Sequence, residues 1–145
     1  MRLDDVPPPP RPSGAYRPLI LIGDMAYLAG FGPRTAEGTP LVGRVGVDLD
    51  IESAQAAARD VGLTILSVLQ DHLGDVDRIR QVVRITGMVA APPDFTQHPK
   101  IIDGCSLLLT ETLGERGQHA RMSYGVSSLP NGSPVAIEAL VQVWL

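Results

Sequence analysis

At 145 residues the chain suits one domain with a core of its own. Its apolar fraction of 44% excludes wholesale disorder, and aromatics at 4% argue against a surface on which successive bases stack. With 12 Lys+Arg against 16 Asp+Glu the net charge is −4, a poor start for neutralising a phosphate backbone, so nucleic acid is not the expected partner.

One cysteine, Cys105, excludes an intramolecular disulfide, and His72, His98 and His119 share no zinc-ligand spacing with it, so no metal is expected. The first residues hold no apolar signal segment, and no window approaches ~18 continuous apolar residues. A soluble cytoplasmic protein without a membrane partner is the expectation.

Residues 1–15 hold Pro7 to Pro10 and Pro12-Ser13-Gly14. Consecutive prolines favour an extended polyproline conformation and join neither helix nor central strand, so this segment reads as an arm lying on the body or on a neighbouring subunit. Residues 16–145 form the domain. Two β-rich runs, Leu19 to Ile22 and Met25 to Ala29, flank Gly23-Asp24 and predict a hairpin. Residues 34–47 are glycine-rich and polar, with a short strand over 41–47.

Over residues 50–73, Ala54, Ala58, Val61, Ile65, Val68, Leu69 and His72 recur at helical spacing, with Asp50 as N-cap and Gly74 as stop. A strand follows over 79–89, with Ile79, Val83, Ile85 and Val89 inward and Arg78, Arg80 and Arg84 as a solvated face. After a turn at Pro92 to Phe95, a second helix over 99–113 starts on Pro99 and buries Ile101, Ile102, Cys105, Leu108, Leu109 and Thr112. Two last strands are joined by a tight Leu129-Pro130-Asn131-Gly132 turn. Arg121 opens the first of them. A charged side chain there is almost never fully buried without a partner, which leaves a solvated edge, an ion pair with Asp103 or Glu138, or an anion pocket.

This order predicts an α+β fold, a mixed sheet with two helices on one face. The second face then needs solvent or another subunit. Val126, Val135, Ile137, Val141 and Val143 exceed what one helix layer obviously requires, so an oligomer with ligand sites between subunits is expected.

Several motifs, in order, resemble the YjgF/RidA family, also called the L-PSP endoribonuclease family, in its chorismate-mutase-like branch. The carriers are Gly14-Ala-Tyr16, Leu28-Ala-Gly30, Val45 to Asp48 with Gln55, Gly74 to Arg78 with Val82-Val83, Ala91 to Phe95, and His119-Ala-Arg121 with Leu129-Pro130 and Ile137-Glu138. They span the chain from Tyr16 to Val143. The resemblance implies a homotrimer with clefts between subunits. It also implies hydrolysis of enamines and imines of amino acids to 2-keto acids and ammonia, without metal or cofactor. Arg121 would anchor the substrate carboxylate and Tyr16 would line the cleft. Glu138 would serve as a second candidate catalytic group, with Ala29, Gly30, Phe31, Asp103 and Ser123 as substrate-binding positions.

The chain departs from the active members where they carry Ser-Gly-Gln (here Ala29-Gly30-Phe31), a cysteine (Ser123), an asparagine (Asp103) and a water-activating glutamate (Ala136). Ala136 and Glu138 share a strand face about 7 Å apart. The alternative reading is therefore a non-catalytic trimer that binds a small carboxylate, a 2-imino or 2-keto acid, as sensor or sponge. Ribonuclease chemistry lacks a readable acid–base pair. Chorismate mutase chemistry needs several cations, of which only Arg121 is clearly placed.

Overall fold

In the computed structural model, which describes residues 3, 4 and 6–145, these form five strands and two α-helices. The order is β1 (Leu19–Ile22), β2 (Met25–Leu28), α1 (Ile51–Leu73), β3 (Ile79–Ala90), α2 (His98–Leu113), β4 (Ala120–Val126) and β5 (Val135–Val143). They build one mixed sheet, ordered β1-β2-β5-β3-β4, in which β3 and β4 run parallel and all other neighbours antiparallel.

Helix α1 starts where the sequence places it. Asp50 accepts from the backbone N–H of Ser53, and Gly74, at φ 84°, closes the other end by donating its N–H to the Gln70 carbonyl. A left-handed residue there suits glycine. Ala54, Ala58, Val61, Ile65, Val68 and Leu69 are buried as expected; His72 is not, and its Nδ1 lies against the Val68 carbonyl. Close crossing of the helices depends on small residues. A Cβ on Gly104 would overlap the Gln55 carbonyl of α1, and one on Gly62 would meet Leu108 and Cys105 of α2.

Several expectations need correction. The strand expected over 41–47 is absent. The positive φ of Gly43 and Gly46 turns the chain there, and the Arg44 carbonyl collects the N–H groups of Val47, Asp48 and Leu49. In β3 the inward residue is Val82, not Val83, because the ladder to β5 shifts register between Ile79 and Gln81 and again between Val82 and Arg84. An extra residue of this kind reverses the side-chain alternation.

The two last strands are not a hairpin. β4 pairs in parallel with β3 through the α2 crossover, and β5 then inserts on the other side of β3. The Leu129–Gly132 link therefore passes across β3, with Asn131 at φ 61°. Finally, Val135, Ile137, Val141 and Val143 all enter the core beneath the helices, with Ile85, Val89, Ile101 and Leu109. The helix-free face is apolar through other residues: Ile20, Ile22, Tyr27, Met122 and Tyr124 stand exposed on it.

Arg78 and Arg80 do more than meet solvent. Arg78 donates to the Trp144 and Leu73 carbonyls, and the Arg80 guanidinium stacks over the Trp144 ring at 4.4 Å. Together they pin the end of β5 to the start of β3. No helix among the described residues is long and apolar enough to cross a membrane.

Candidate binding cleft

The strand pleat sorts the expected site residues onto two faces. In β5, Val135 and Ile137 point to the helices, so Ala136 and Glu138 face the helix-free side. Their cross-strand partners on β3 are Met88 and Thr86. In β4, Arg121 stands beside Ile85 and Ser123 beside Gly87, both in rows that face the helices; a Cβ on Gly87 would collide with Ile102 of α2. Within one chain, Arg121 and Glu138 thus lie on opposite sides of the sheet and do not meet.

The Arg121 side is a network on α2. Arg121 Nη1 donates to Asp103 Oδ1 at 2.7 Å and to Ser106 Oγ at 3.1 Å, while Nη2 donates to the Pro99 carbonyl at 3.3 Å. Of the readings the sequence left open for this arginine, the ion pair is with Asp103; Glu138 is exposed and takes no part. Ser106 Oγ also lies 2.8 Å from His119 Nε2, and His119 Nδ1 lies 2.6 Å from the Gly117 carbonyl. A carbonyl only accepts, so Nδ1 carries a proton, and in the neutral ring Nε2 accepts from the serine. His119 and Ser106 were not singled out as site residues; the position of Ser106 one helical turn after Asp103 was the available signal.

Cys105 sits one position away, fully buried, and burial pushes its thiol up to about 12 despite the pull of the Arg121 charge. A thiol so poorly ionised packs as an apolar group. Among the described residues, no three His, Cys, Asp or Glu side chains come together as a metal-holding group.

On the other side of the molecule, the start of β5 and the N-terminal arm enclose a cleft of about 670 Å³. Tyr16, Gly30, Phe31 and Ala136 all line it, so the structure brings four of the singled-out positions together. Tyr16 is half exposed, with its hydroxyl 3.4 Å from Ser13 Oγ. Beside Gly30 a Cβ would meet open space.

Phe31 exchanges both backbone hydrogen bonds with Ile137 and, at 8% exposed, belongs to the core while also lining the cleft. Ala29 donates its N–H to the Pro18 carbonyl and is not in the lining. Asp103, Ser123, Arg121 and Glu138 are likewise outside it. Residues 1, 2 and 5 of the arm lie outside the described residues.

Comparison with known proteins places this arrangement. A family model described as "YjgF/chorismate mutase-like, putative endoribonuclease" matches residues 5–142. Protein TCP17 of Trypanosoma cruzi is 35% identical over 133 residues, covering 91% of this chain and 83% of that protein. The crystal structure of Atu1372, a protein with unknown function from Agrobacterium tumefaciens, superposes with a TM-score of 0.86 at 36% identity, covering 92% of this chain and 86% of that one. RidA from an Antarctic Psychrobacter shares the fold, with a TM-score of 0.66 at 19% identity over 94% of its chain and 93% of this one. With the matched model spanning nearly its whole length, the chain belongs to the YjgF/RidA family.

Proposed function

We propose that the protein binds a small carboxylate-bearing metabolite, a 2-imino or 2-keto acid, in this cleft, with Arg121 of a second copy brought to its mouth in a homotrimer. The observation that carries the reading is the character of the lining: cationic side chains and apolar walls, with Ala136 where hydrolysis would want a carboxylate. A guanidinium fork suits a carboxylate. Exposed Ile20, Ile22, Tyr27, Met122 and Tyr124 support an assembly that covers the helix-free face, where the cleft and Glu138 lie.

Imine hydrolysis to a 2-keto acid and ammonia is the second reading. One observation favours it: His119 Nε2 is linked through Ser106 Oγ to Arg121, so a base stands one hydroxyl away from the guanidinium.

Titration calorimetry with 2-ketobutyrate and benzoate, run beside an ammonia-release assay on 2-aminoacrylate, separates the two. Saturable binding without ammonia supports the binding protein. Ammonia release that disappears in Arg121→Ala supports the hydrolase. Ala136→Glu gaining turnover in an inert protein would identify the missing carboxylate as the cause. Neither binding nor turnover refutes both readings.

A further inference from the structure

Resting on the carboxylate reading of the cleft, the remaining question is which cation of the chain grips the acid. We propose that Arg11, carried by the proline-rich arm, is the anion-holding and specificity-determining residue of the cleft. The ligand it selects is a monocarboxylate with a flat apolar body.

The arm is strapped in place as part of the wall. A proline-rich segment cannot satisfy its carbonyls internally, so they need donors from elsewhere. Here α1 supplies them. Gln70 Oε1 accepts from the Leu3 N–H while Gln70 Nε2 donates to the Leu3 carbonyl, and Ser67 Oγ donates to the Pro7 carbonyl. Arg34 Nη1 donates to the Pro8 carbonyl. Four residues further along the arm than Pro7, Arg11 arrives at the cleft between Pro10 and Pro12.

Charge accounting singles it out. The lining holds Arg11 and Arg34 and no aspartate or glutamate. Arg34 is occupied as the clasp, its two terminal nitrogens on the Pro8 carbonyl and Thr64 Oγ1. Arg121 already faces Asp103. Arg11 is exposed and makes no ion pair or hydrogen bond with any described residue. It is the cation of the cleft whose donors are uncommitted, and an uncommitted guanidinium beside a partly enclosed apolar wall attracts a carboxylate.

The wall decides the rest of the ligand. Prolines, Met88, Leu129 and Ala136 make most of the wall apolar, the Tyr16 ring offers an aromatic surface, and Ser13, Asn131 and Ser133 add the polar side chains. A cleft of about 670 Å³ admits a body the size of a substituted ring.

The test is titration of the full chain with benzoate and with its neutral isostere benzamide, using wild type, Arg11→Gln, Arg11→Lys and Arg121→Ala. The proposal expects wild type to bind benzoate and to favour it over benzamide. Arg11→Gln should weaken benzoate at least roughly tenfold while leaving benzamide and the melting temperature unmoved. Arg11→Lys should restore part of the affinity through charge without the fork. Benzoate binding unchanged in Arg11→Gln but lost in Arg121→Ala overturns the proposal and leaves the carboxylate reading standing. Wild type that binds neither benzoate nor 2-ketobutyrate overturns both.

Discussion

Asp103→Asn tests how far the protein's own acid restrains Arg121. The pair is close, 2.7 Å, but open, with the arginine side chain 22% exposed and the aspartate 48%. A surface pair of that kind contributes about 0–1 kcal/mol to stability. The variant should therefore fold, and its Tm should fall by no more than about 4 °C in a chain of this size.

For an incoming carboxylate, Asp103 is both a competitor for the Nη1 donor and a like charge beside it. Two unit charges 4 Å apart repel by about 1 kcal/mol in water and about 4 kcal/mol in a shielded surface site. Half-exposure keeps the combined penalty near the lower end, at roughly 1–2 kcal/mol. Lifting it adds a second grip to the ligand and tightens 2-ketobutyrate binding about 5- to 30-fold. Calorimetry at low and at physiological salt measures this directly, and the gain should shrink with added salt. A Kd that is unchanged or weaker would refute the idea that Asp103 holds the arginine back from ligands.

Gly104→Ala should destabilise the fold by about 1–3 kcal/mol despite the better helix propensity of alanine, because its Cβ meets rigid backbone at Gln55; urea unfolding checks this, and a variant as stable as wild type contradicts the helix contact described. Cys105, with its thiol raised to about 12 by burial, should resist iodoacetamide at pH 8 in the folded protein and react fully in urea, as intact mass will show. The Ser53 N–H holds the Asp50 carboxyl below its ordinary value of 3.8. A depressed native value means the N-cap stabilises above the unfolded pKa and that this stability is lost as pH falls through the folded one. The melting-temperature gap between wild type and Asp50→Ala should therefore be present at pH 6 and close as pH drops below the ordinary carboxylate range; a gap independent of pH would argue against the charged cap.

Much of the fold could be read from local pattern, because caps, helical stripes and strand alternation are properties of neighbouring residues. Asp50 and Gly74 bound α1 as expected, and α2 begins on its Pro99 turn. What escaped depended on partners distant in sequence. The two register shifts in β3 exist only against β5, so Val83 looked inward until the ladder was known. The Leu129–Gly132 turn resembled a hairpin because a tight link does not reveal that another strand lies between its ends.

The site behaved likewise. Tyr16, Gly30 and Phe31 were legible as a group and do line one cleft, whereas the separation of Arg121 from them by face followed only from the pleat. Arg11 was invisible: in a proline tract it reads as tail, and only the Gln70, Ser67 and Arg34 clasps bring it to a wall.

Of the five strands, the one that joins the two halves of the sheet is made after the other four. β2, paired on its outer side with β1, and β3, paired on its outer side with β4, are not paired with each other; only β5 joins them. Until Val143 has left the ribosome, the nascent chain holds a lone hairpin and a parallel pair whose inner edges are unpaired, both of which invite pairing with other molecules. A terminal deletion that removes β5 would thus leave two fragments of sheet without a common edge, and quality control should meet it as an aggregating species and not as a smaller folded protein.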